Sequence, residues 1–127
     1  MNSYDFNKAV SVLDFFQQEL NVLINLLTKY EETQYGEKSL LQAEIKQQFK
    51  YVKDELKKQI KVLIEFDANA LVVEYLLPPL CVASTHFQDI GINRINPNSI
   101  HKVRQLALKA NGFIHKYHSQ LANDQLG

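Results

Sequence analysis

Cysteine is all but missing. Cys81 is the only one, so no disulfide framework exists within the chain, and the pattern fits a reducing, cytoplasmic compartment. It stands in an apolar run and is expected to be a small core residue rather than a nucleophile. Glycine is scarce as well, and Gly91 and Gly112 stand alone. A loop that cradles phosphate needs several glycines between a strand and a helix, so nucleotide-binding signatures are excluded. Net charge is absent too: fourteen basic residues cancel fourteen acidic ones, and no global field draws the chain to nucleic acid or to a membrane. The longest apolar run, 68–83, is broken by Asn69, Glu74, Pro78 and Pro79, which disqualifies it as a membrane span. The first residues show no basic stretch followed by an apolar one, so no signal peptide is expected. Alternating apolar and polar residues bounded by turn signals occur nowhere, so no sheet is expected.

What is present is helical periodicity. Over 39–66 the apolar residues Leu41, Ile45, Phe49, Val52, Leu56, Ile60 and Leu63 recur at steps of three and four, with no glycine or proline among them. Ser39 and Gln42 form a capping-box pattern at its start. A basic stripe, Lys46, Lys50, Lys53, Lys57 and Lys61, runs beside the apolar seam at the same spacing. The same periodicity predicts a first helix over 5–32, capped by Asn2 or Ser3 and ended near Gly36. Val22 and Leu26 widen its seam, which implies two neighbours. Charge divides between these segments: residues 1–37 hold six acids and two lysines, whereas 38–127 hold eight acids and twelve bases. An acidic first helix beside the basic flank of the second is the simple expectation.

Pro78 and Pro79 set the next boundary, because a proline lacks a donor and restricts the residue before it. A short helix over 68–77, capped by Asp67 or Asn69, and a further one over 80–89 are expected, or else one kinked helix. The region is apolar nearly all round and is expected to be the most buried part of the chain. Asn96-Pro97 is a start signal for a last helix, in which Asn111-Gly112 marks a bend. After Ala122 the tail is polar and is expected to fray. The 127 residues therefore describe one all-α domain, an up-and-down bundle of four to five helices with two long N-terminal ones. Helices of about 28 residues span roughly 42 Å, long for so small a domain, and their length favours a dimer through the first two.

Chemistry is sparse. One cysteine and scattered histidines do not give the close ligand spacing of a zinc site, and no Glu-x-x-His pair of a di-iron bundle occurs, so neither metal nor cofactor is expected. His115 and His118 share a helix face with His101, and surface histidines are the reading. Arg94 and His101 are separated by six residues around the loop before the last helix. This spacing resembles the Arg-x4–6-His pattern of HEPN-domain ribonucleases, helical bundles of about this size that usually act as dimers. The resemblance implies metal-independent RNA cleavage in a cleft shared by two subunits, with His101 as acid or base and Arg94 steadying the phosphate charge. Ile95 departs from the polar residue common in that family, and Asn96-Pro97 intervenes. The lysine stripe could instead track a nucleic-acid backbone, but Glu44, Asp54, Glu55 and Glu65 share its helix and no aromatics interleave, so a solvated face, or a flank that meets the acidic first helix, is expected. The favoured expectation is a non-enzymatic binding protein of regulatory, accessory or immunity type, a homodimer that also meets another protein. Its expected contact surface is the seam around Phe16, Leu20, Phe49 and Leu56 with the flanking lysines.

Overall fold

Four α-helices account for nearly all of the residues that the computed structural model describes, 3–33, 38–66, 69–88 and 99–126. They are α1 (Ser3–Glu32), α2 (Lys38–Phe66), α3 (Leu77–Gln88), which follows directly on a π-helical turn at Val72–Leu76, and α4 (Ile100–Leu126). No strand occurs among the described residues. Consecutive helices pack on one another and α4 closes on α1, the most extensive contact of the set. One hydrophobic core joins them all. The predicted seam is its spine: Leu41, Ile45, Phe49, Val52, Leu56 and Leu63 are buried from α2, facing Leu13, Phe16, Leu20, Leu23 and Leu27 of α1.

Several boundaries moved, each for a physical reason. α2 already includes Lys38, so Ser39 is helical and is not the flanking cap. α4 begins at Ile100, with the Ser99 carbonyl accepting from Val103 N–H at 3.0 Å, so its first turn opens at Ser99. Serine caps as well as asparagine does. The Asn96-Pro97 signal, the Gly36 ending and the Asn2 cap lie outside the described residues. α4 runs through Asn111-Gly112 without a break, and a Cβ at Gly112 would meet open space. It also continues helically past Ala122 to Leu126, where Asp124 accepts a hydrogen bond from the Tyr75 hydroxyl.

The prolines do not separate two helices. The chain is helical without interruption from residue 70 to residue 88. Asn69 caps this helix, its Oδ1 accepting from Val72 N–H at 3.0 Å. The π turn explains how two prolines fit. Leu77 N–H reaches back five residues to the Val72 carbonyl, so the backbone is already widened where Pro78 and Pro79 lack donors. Val73 and Glu74, whose carbonyls lose those donors, are exposed to water. Burial here is also one-sided. Leu71, Val72, Leu76, Leu80 and Ala83 are buried, while Val73 and Cys81 face outward. The expectation of a core cysteine is therefore corrected: Cys81 lies one residue, or about 100° of helix, past the fully buried Leu80.

Candidate interaction surfaces

The apolar residues expected to form the contact surface are interior, while its flanking lysines are exposed or half-buried. Phe16, Leu20, Phe49 and Leu56 are at most 2% exposed, covered by other helices of the same chain. Periodicity finds an apolar stripe correctly but does not say which chain covers it. The surface therefore has to be sought among the flanks of the helices, where three seams differ in chemistry.

The α1–α4 flank is a polar ladder. Asp14 Oδ1 lies 2.9 Å from His118 Nε2, and Gln17 Nε2 lies 3.2 Å from His115 Nδ1. Asn111 Nδ2 donates to Asn21 Oδ1 at 3.0 Å, and Glu31 Oε1 lies 3.9 Å from His101 Nδ1. The two residue numbers in each of these pairs add to 132, the signature of two antiparallel helices held in one register. Arg104 closes the ladder on Glu31 at 3.1 Å. The histidines of α4 thus have carboxylate or amide partners on α1, which inspection of α4 by itself does not reveal. Of the two residues resembling the ribonuclease pattern, Arg94 lies outside the described residues. His101 is well exposed in the first turn of α4, beside Glu31 and Arg104. Among the described residues no group of three or more histidine, cysteine or acidic side chains is arranged to hold a metal ion.

The α1–α2 flank is mixed. Gln48 Nε2 donates both to the Glu19 carbonyl at 3.0 Å and to Glu19 Oε2 at 2.7 Å. The Tyr51 ring meets Phe15 edge-on with centroids 6.3 Å apart. Desolvation, with the charges of Glu19 and Glu55 nearby, pushes the Tyr51 hydroxyl up from its ordinary range, so it stays a donor. A groove of about 560 Å³ opens beside it, with Val22 and Leu26 on one wall and Glu44, Lys50 and Asp54 on the other. Val22 and Tyr51 remain 44% and 42% exposed.

The α2–α3 flank is basic and apolar. Positions 42, 46, 49, 53, 57, 60 and 64 share this side of α2 and hold glutamine, lysine, phenylalanine and isoleucine, with no acid. Phe49 meets Phe87 of α3 with ring centroids 4.9 Å apart, which fixes the side as the α3 side. Lys57, Ile60, Lys61 and Ile64 line a groove of about 360 Å³ with Glu65, Ser84 and Gln88. The expected meeting of this lysine flank with acidic α1 does not occur. Lys57 and Lys61 line the α3 side, whereas Lys50 lines the α1–α2 groove with Val22 and Leu26, and α1 meets Gln48 and Tyr51 of α2. Lys46 and Lys53 are half-buried, Lys50, Lys57 and Lys61 are exposed, and none of the five forms an ion pair among the described residues. No helix among the described residues is long and apolar enough to cross a membrane. No protein-family model, curated protein or solved structure matches this chain.

Proposed function

We propose that this chain is a non-enzymatic helical-bundle protein that acts by binding protein in a reducing, cytoplasmic setting, and that it self-associates as a homodimer through the α1–α2 flank. The observation that carries this reading is the apolar opening at Val22, Leu26 and Tyr51 on a bundle that buries most of its large apolar side chains. Its rim holds both signs of charge, Glu44 and Asp54 with Lys50, which suits a patch that must complement itself across a two-fold axis. With Tyr51 on that axis and the two α2 helices antiparallel, Glu44 of each copy stands opposite Lys58 of the other, since both lie seven residues from Tyr51. The free, exposed Cys81 fits a reducing compartment. Sedimentation or light scattering tests the reading. A dimer is expected, and Val22→Asp with Tyr51→Glu is expected to give a monomer of unchanged helicity; a wild-type chain that is monomeric at high micromolar concentration removes the reading.

A further inference from the structure

We infer that the α2–α3 groove is a docking site for an acidic, amphipathic helical segment of a different protein. The inference deepens the reading of the chain as a binding protein and stands apart from its self-association, which uses the opposite flank of α2.

Three features converge on that occupant. Ile64 is 56% exposed and Ile60 is half-buried beside it, so the floor offers apolar area to a second apolar surface. On α3 the positions Leu77, Cys81, Ser84 and Gln88 recur at steps of four, three and four along one flank, and none is charged. The opposite wall is the row Lys46, Lys53, Lys57 and Lys61 of α2, which has found no carboxylate among the described residues. From Lys46 to Lys61 the row extends about 22 Å at 1.5 Å per residue, the length of about four turns of a docked helix. An apolar floor beside a cationic wall complements a helix with leucine-like residues at i, i+3, i+4 and i+7 and carboxylates next to them.

The same features disfavour the other occupants. Nucleic acid would use the lysines but not the isoleucines, and no exposed aromatic stands on this flank for base stacking, Tyr51 being on the α1 side. In a second copy of this chain α1 is not free to serve as the acidic helix, because Asp14 and Glu31 are engaged by His118 and Arg104, and Glu19 by Gln48.

Fluorescence anisotropy on the full chain tests the inference. The probe is a fluorescein-labelled synthetic helical peptide with leucines at helical spacing and glutamates on both sides of them. Saturable binding is expected, weakened about tenfold by Lys57→Glu with Lys61→Glu and about fivefold by Ile64→Ser, with Lys109→Glu on α4 leaving it unchanged. Circular dichroism of each variant keeps loss of fold separate from loss of binding. The inference is overturned if no saturable binding occurs, or if a scrambled peptide of equal composition binds as well. Tighter binding of a uridine oligonucleotide than of the peptide likewise overturns it, in favour of nucleic acid. Light scattering on the same samples separates the two readings: a monomer that binds the peptide removes only the dimer, and a dimer that ignores the peptide removes only this site.

Discussion

The α1–α4 side and the α2–α3 side are built from the same kind of amphipathic helix, yet one is closed and the other open. Along α1 and α4 the flank residues Asp14, Gln17, Asn21 and Glu31 each find a partner across the seam, from Asp14–His118 to Glu31–Arg104. Even the apolar gap in that ladder fits the register, with Ile24 at the level of Leu108. Along α2 and α3 the lysines have no ion-pair counterpart among the described residues, and Ile64 stands open between them with Ile60 half-buried beside it. A flank whose side chains mostly meet partners within the chain, even with Arg104 Nε and Asn111 Oδ1 left without a hydrogen bond, has less to offer another molecule. A flank whose charges are unanswered keeps its binding capacity, and individual exposed lysines cost folding almost nothing.

That contrast concerns the flanks, so it should vanish in the core. Leu20→Ala on the closed side and Leu56→Ala on the open side both delete a fully buried side chain. Each is expected to cost about 2–5 kcal/mol in urea unfolding. A cost below about 1 kcal/mol for Leu56→Ala alone would mean that the open side is loosely packed and its grooves are defects.

A second test addresses the join between the sides. Tyr75, in the π turn before α3, donates to Asp124 near the end of α4. That hydrogen bond, then desolvation and the charges of Asp124 and Glu74, push its hydroxyl up to about 12. A raised native value means the protonated phenol is favoured by folding. Its contribution is fully present below about pH 10, the ordinary tyrosine value, and is lost as pH rises toward 12. Tyr75→Phe is therefore expected to lower the melting temperature at neutral pH, with the gap to wild type closing between pH 10 and 12. A gap that stays constant across that range would show the hydrogen bond to be incidental.

On the closed side, Glu31→Gln weakens both the Arg104 and His101 contacts. With the partners partly exposed, about 0.2–1 kcal/mol is expected, shrinking in high salt. Stability that does not respond to salt would mean the ladder acts by shape and not by charge.

The helices and their buried stripes were legible because an uninterrupted period of three and four, free of breakers over 39–66, admits only one regular structure. The ownership of the stripe was not. Phe16, Leu20, Phe49 and Leu56 read as a seam in need of cover, and periodicity is silent on whether that cover is a neighbour or a twin. Cys81 was misplaced because an apolar run hides which side faces out, and only the position of Leu80 against the core settles it. Pro78-Pro79 leaves two helices and one kinked helix equally open, because a π turn is a backbone adjustment without a side-chain signature. The histidine ladder needed two helices at once: each partner is ordinary by itself, and only the shared register turns them into pairs.

The smallest expected effect is the most discriminating. Lys57→Gln and Ile64→Ser alter exposed positions on the open side, where no ion pair is broken and no cavity is made. Each should change unfolding free energy by no more than about 0.5 kcal/mol, against about 2–5 kcal/mol for the core leucines. Near-neutral stability with undiminished helicity would leave these side chains without a structural duty, since Ile64 gains little by facing water and Lys57 forms no ion pair among the described residues. Residues so placed on one flank, apolar and cationic together, then need an explanation outside the folded chain. If either substitution instead costs more than about 1 kcal/mol, the open side is holding the bundle together after all, and the difference between the two sides is one of appearance.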